Sequence, residues 1–165
     1  MSKLAIEPKS HTLTKIGAGL FLIWSVLHIY VGIVGLSNFV TKNLSEQWKL
    51  LIGGEKVPFS SFIIPQDAST AYGQSHLILN FCLDVGGYGV LGIFVALMIW
   101  KKSSWTGYLI GLIVIGIADL SFLFAMVTSG VIVKDISTIA GPIIWFVAVA
   151  VTPFGLMQSK NKTLL

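Results

Sequence analysis

The chain has 165 residues, of which 55% are hydrophobic and only 11% charged, where a soluble domain carries roughly a quarter charged residues. With a mean hydropathy of +0.86, this composition excludes an ordinary water-soluble globule and points to one integral membrane domain, residues 1–165. The net charge of +4 comes from lysines clustered at the ends of apolar runs, a topology signal and not a nucleic-acid footprint.

The first apolar run, residues 16–37, follows Lys3, Lys9 and Lys15. A basic start before an apolar run also describes a secretory signal peptide. This run is too long for one and lacks a small-residue cleavage site after it, so it is read as a retained span. Residues 38–74 form the one long connection. Within it, "NLSEQWKLLIGG" predicts a short amphipathic helix with Asn43 as cap, Leu44, Trp48 and Leu51 on one face, and Gly53 and Gly54 at its end. Such a helix suits a position flat on the membrane interface. The next segment, "VPFSSFIIPQD", reads equally as a hydrophobic lid over the bundle or as a loop anchored among lipid headgroups.

Residues 75–100, 105–128 and 136–157 complete four runs, each long enough for a hydrocarbon core of roughly 30 Å. They are expected to be helices, because a spanning segment must satisfy its own backbone hydrogen bonds and no two-residue alternation supports barrel strands. The turn "KKSS" at Lys101–Ser104 makes spans two and three antiparallel neighbours. Lys101 and Lys102 fall on the same side as the N-terminal lysines and as Lys160 and Lys162. By the lysine bias that side is cytoplasmic, which puts both termini inside and the long loop outside a plasma (inner) membrane. The expected architecture is therefore an all-α bundle of four transmembrane helices. The single cysteine, Cys82, allows neither an internal disulfide nor a CxxC redox site.

Four ionisable groups besides Cys82 and the end lysines fall inside the spans: His28, His76, Asp84 and Asp119. An aspartate near a helix centre costs about 2.5 to 3.5 kcal/mol on insertion scales, so such acids face a bundle interior or water. His28, Asp84 and Asp119 each lie about nine residues, ~13 Å, from the outer end of their spans, which predicts that they meet at one level. His76, Asn80 and Asp84, four apart, form a stripe on one helical face. On span one, Ala18, Phe21, Ser25, His28, Gly32 and Gly35 form the facing stripe, and Gly86, Gly87 and Gly89 allow close approach.

This pattern supports several chemistries. His28, His76, Asp84 and Asp119 offer a mixed nitrogen and oxygen set for a transition metal, although no HxxxH, HExxH or ExxH spacing supports it. Asp84, Asp119 and His28 are also the types needed for acid and base catalysis on a lipophilic substrate, with His76, Asn80, Ser25 and Tyr88 lining a ligand site. A bis-histidine haem on His28 and His76 is disfavoured by the ~11 Å between their levels. The sequence thus predicts an outward-facing His/Asp site for a small ligand, metal ion or proton, with Asp84 as its principal residue. The alternative is a non-catalytic subunit of a larger membrane complex, and homo-oligomerisation is a further expectation. The GxxxG spacing of Gly107 and Gly111 fits such contacts.

Overall fold

A computed structural model describes residues 12–161. Lys3, Lys9 and Lys162 lie outside them. Four helices are long and apolar enough to cross a membrane: α1 (Thr12–Val40), α3 (Ala68–Lys102), α4 (Trp105–Thr128) and α5 (Ile136–Asn161). A short α2 (Leu44–Trp48) sits in the long connection. α1, α3 and α5 overrun the expected spans because they continue past the apolar core, most of all in α3, which begins seven residues before position 75.

The end bearing Lys15, Lys101 and Lys102 is called the lysine end here. There Lys15 Nζ lies 5.9 Å from the centre of the Trp100 ring, a cation–π contact that aligns α1 with α3. Ser103 takes a left-handed conformation to close α3, and the Ser104 side chain accepts from the Gly107 N–H to start α4.

α1 is the central element, antiparallel to α3 on one side and to α5 on the other. Helices as apolar as these associate through close packing and interhelical hydrogen bonds. Small residues supply the packing. A side chain at Gly32 would lie 3.0 Å from Gly86 Cα, and one at Gly89 would lie 2.8 Å from both Ile29 N and Ser25 O. Gly35 rests on Cys82, and Gly92 on Ser25 and Trp24. Toward α5, Gly17 meets Thr152 and Gly155 meets Thr14. Cys82 is fully buried in the seam. Maleimide labelling of its thiol in the native protein is expected to be slow and to become rapid only on unfolding. Fast native labelling would contradict the α1–α3 packing.

Polar bonds to backbone carbonyls pin α4 to α5. Pro153 has no N–H to give to the carbonyl four residues back. That carbonyl, of Val149, accepts from the Tyr108 hydroxyl at 3.1 Å. The Gly111 carbonyl accepts from Trp145 Nε1 at 2.9 Å. Gly111 opens the first of two π-helical stretches in α4, Gly111–Ile115 and Leu123–Thr128, which flank the α-helical Gly116–Phe122. Gly107 and Gly111 are buried within the chain, against Met98 and against Phe21 with Val95. Their GxxxG spacing therefore serves an internal contact.

The opposite, loop end is tied together by backbone. Asn43 caps α2 as expected, accepting from the Glu46 N–H at 3.1 Å. α2 is not a free interfacial helix, however. Its Gln47 is fully buried, accepting from Ser75 Oγ at 3.0 Å, and Trp48 Nε1 donates to Gln74 Oε1 at 3.1 Å, which docks α2 on α3. The Gly54 and Lys56 amides donate to the Val131 and Gly130 carbonyls at 3.0 and 2.9 Å, joining the two loop-end connections. Gly53 (φ +109°) and Gly130 (φ +80°) occupy left-handed conformations there that disfavour a side chain. In the following segment Phe62 packs on Trp48 and Phe59 on Gly53, while Ile63 and Ile64 stay exposed. Backbone and side-chain bonds from Thr70 to the Asp67 carboxylate, which caps α3, hold its pKa below the usual value. Bonds from Ser137 and Thr138 do the same for Asp135 at the start of α5.

Candidate functional site

Trp24 and His28 are four residues apart on α1, one above the other, and their rings stack with centroids 3.7 Å apart and planes at 24°. His28 Nδ1 lies 2.8 Å from the Trp24 carbonyl. A carbonyl oxygen only accepts, so Nδ1 carries a proton and the ring presents Nε2 outward. Asp119 arrives from the α-helical segment between the two π stretches of α4. Its Oδ2 accepts from Trp24 Nε1 at 2.7 Å, and its Oδ1 lies 3.5 Å from His28 Nε2. π-helical turns inside α-helices recur at functional sites because an extra residue per turn re-aims the side chains beyond it.

Asp119 and Trp24 are 2% and 0% exposed, whereas the His28 side chain keeps 18% of its surface open. The pair therefore has one accessible edge, and it belongs to the histidine. α5 contributes space: a side chain at Gly141 would lie 2.9 Å from His28 Cε1. Nε2 and Oδ1 would present lone pairs to one another unless a proton lies between them, on the imidazole or on the carboxyl. The indole N–H fixes Oδ2 and leaves Oδ1 to face the ring. At 3.5 Å the pair is wider than a hydrogen bond, so transfer requires the two groups to close by a fraction of an ångström or to enlist a water.

The remaining predicted residues are not part of this set. Asp84 was expected at the level of His28 and Asp119, but the Gly35–Cys82 and Gly32–Gly86 contacts bracket it opposite the segment between Gly32 and Gly35. It thus sits at least one turn, ~6 Å, toward the loop end from His28. It also lies on the opposite face of α3 from the Cys82, Gly86 and Gly89 seam and is exposed. Asn80 Nδ2 donates to Asp84 Oδ2 at 3.0 Å, so that part of the stripe does form. Tyr88 shares the exposed face. His76 is held by a ring edge contact to Phe39, a stack on Tyr72 and an Nδ1 contact to the Tyr72 carbonyl.

Ser25, expected to line a ligand site, is fully buried. Its hydroxyl donates to the Phe21 carbonyl at 2.7 Å and packs on Gly92. The stripe from Ala18 to Gly35 divides: Ser25, Gly32 and Gly35 face α3, and His28 turns to α4 and α5. Among the described residues no group of three or more His, Cys, Asp or Glu side chains gathers to hold a metal. The proposed set of His28, His76, Asp84 and Asp119 is therefore dispersed. Sequence reasoning gave Trp24 no firm role, although its place four residues before His28 was a usable signal. No protein-family model matches the chain, and neither a curated protein nor a solved structure matches it.

Proposed function

We propose that the chain is a multi-pass protein of the plasma membrane, with both ends cytoplasmic, whose Trp24, His28 and Asp119 form a site that binds and exchanges a proton within the membrane. One observation carries this reading: His28 Nδ1 is committed to the Trp24 carbonyl, which aims Nε2 at Asp119 Oδ1. The indole N–H on Oδ2 holds the carboxyl in register, and the part of the His28 side chain left open gives the pair its access to the surroundings. A lipophilic acid or base in the bilayer is a chemically suitable exchange partner. A resident transition metal is a poorer fit, since two side chains are too few and one carboxylate oxygen is already taken by an N–H.

The stacked geometry supplies the test, because a protonated imidazole quenches the fluorescence of an indole lying on it. Tryptophan emission of the reconstituted protein is expected to change with pH in the wild type and to lose that component in His28→Gln. Asp119→Asn keeps an acceptor for Trp24 and a donor for Nε2, so the fold should hold while the size of the fluorescence change alters. A His28→Gln titration that overlays the wild type would overturn the reading.

A further inference from the structure

α3 and α4 pack closely toward the lysine end, where Gly107 lies on Met98 and Gly111 on Val95. Beyond Gly111, α4 leans to α1 and α5, through Gly116 on Trp145 and Asp119 on Trp24 and His28. The face of α3 that continues from Val95 toward the loop end is thereby uncovered. It forms a shallow, open hollow lined by Leu83, Asp84, Gly87, Tyr88 and Leu91. A side chain added at Gly87 would meet nothing within 4 Å, so a neighbouring backbone can approach closely there.

The carboxylate on this face lies in apolar surroundings. Exposed Leu77 lies farther toward the loop end than Asp84, and exposed Val90 and Phe94 lie nearer the lysine end. Asp84 is bonded to Asn80 through Oδ2, and no described residue donates to its Oδ1.

We propose that this face docks a membrane-spanning helix of a different protein, one that presents a lysine or arginine at the level of Asp84. Charge complementarity selects that occupant. An acid facing lipid is stabilised by a base brought to it, with Asn80 orienting the carboxylate and the hollow at Gly87 admitting the partner's backbone. A second copy of this chain is a poor match. In a symmetric pair of like orientation Asp84 would meet its own counterpart, and the described residues offer no base at that level: the lysines sit at the two ends, His28 is engaged by Asp119, and His76 lies two turns away. A small cationic ligand would stay largely open to lipid in so shallow a hollow, whereas binding sites bury most of their ligand.

The docking rests on the membrane reading and is independent of the proton site. The test co-reconstitutes the full chain in vesicles with a synthetic leucine-rich spanning peptide carrying one lysine about eight residues from its outer end, and measures association by photocrosslinking. The lysine peptide is expected to associate about tenfold more tightly than its all-leucine counterpart. Asp84→Asn should bring it down to the all-leucine level, while His28→Gln should leave it unchanged. Equal association of the two peptides with the wild type overturns the contact without any need for a variant. So does Asp84-dependent crosslinking of two copies of the chain through α3. Removal of the protein from the vesicles by alkaline carbonate would overturn the membrane reading itself, and this contact with it.

Discussion

Gly89→Leu is expected to separate α1 from α3 and to cost at least the ~1 to 3 kcal/mol typical of overpacking. The reason is what the new side chain meets. At Gly89 a Cβ would lie 2.8 Å from the backbone nitrogen of Ile29 and 2.8 Å from the backbone oxygen of Ser25. No rotamer change relieves a contact with backbone, so α1 must shift as a body, and Trp24 and His28 travel with it. The variant should therefore lose stability and pull Trp24 and His28 away from Asp119. Gly19 on α1 is the control, since a side chain there meets nothing within 4 Å, and Gly19→Leu should stay within about 0.5 kcal/mol of the wild type. Equilibrium unfolding in mixed micelles measures both. Equal stabilities for the two variants would refute the close seam.

The same seam explains why part of the fold was legible in the sequence and part of the site was not. Run length and the absence of two-residue alternation report that backbone bonds close within each segment, a local property, so four helices could be read directly. The bounds of Trp105–Thr128 agree with the expected 105–128, because Ser104 and the neighbouring lysines mark its start. Depth is a different kind of quantity. It was measured from the ends of apolar runs, but α1 and α3 extend past those ends, and their true register is set by Gly32 on Gly86 and Gly35 on Cys82.

That register displaces Asp84 from the level that His28 shares with Asp119. Facing was the second obstacle. A four-residue stripe identifies which side chains share a face, as Asn80 and Asp84 do, but not which neighbour covers it. Glycines at Gly86 and Gly89 turn the opposite face of α3 to α1, and the lean of α4 beyond Gly111 leaves the acid side bare. The π stretches of α4 carry no signature a single sequence reveals, yet they flank the segment that presents Asp119.

Trp24→Ala is expected to be the most damaging single change at the site, costing ~3 to 5 kcal/mol as for other buried large-to-small replacements. Trp24 is fully buried and serves three purposes: it fills the space beside Gly92 and Gly141, stacks on His28, and donates to Asp119. Trp24→Phe separates these roles, since it keeps most of the volume and the stack and removes only the N–H. Its cost should fall well below that of alanine, leaving one carboxylate oxygen of Asp119 without its donor. Combining Trp24→Phe with Asp119→Leu isolates the bond itself. A polar bond between membrane helices averages ~0.6 kcal/mol in such cycles and reaches ~1.7, because the separated helices also find partners in the membrane. A buried, 2.7 Å bond belongs at the upper end of that range, because no water reaches either partner to replace it. Additive losses in the double variant would show that Trp24 acts through packing alone, and Asp119 would then be oriented by His28 without the indole. Coupling near the upper bound would identify the indole as the group that fixes Oδ2 and so aims Oδ1 at the imidazole.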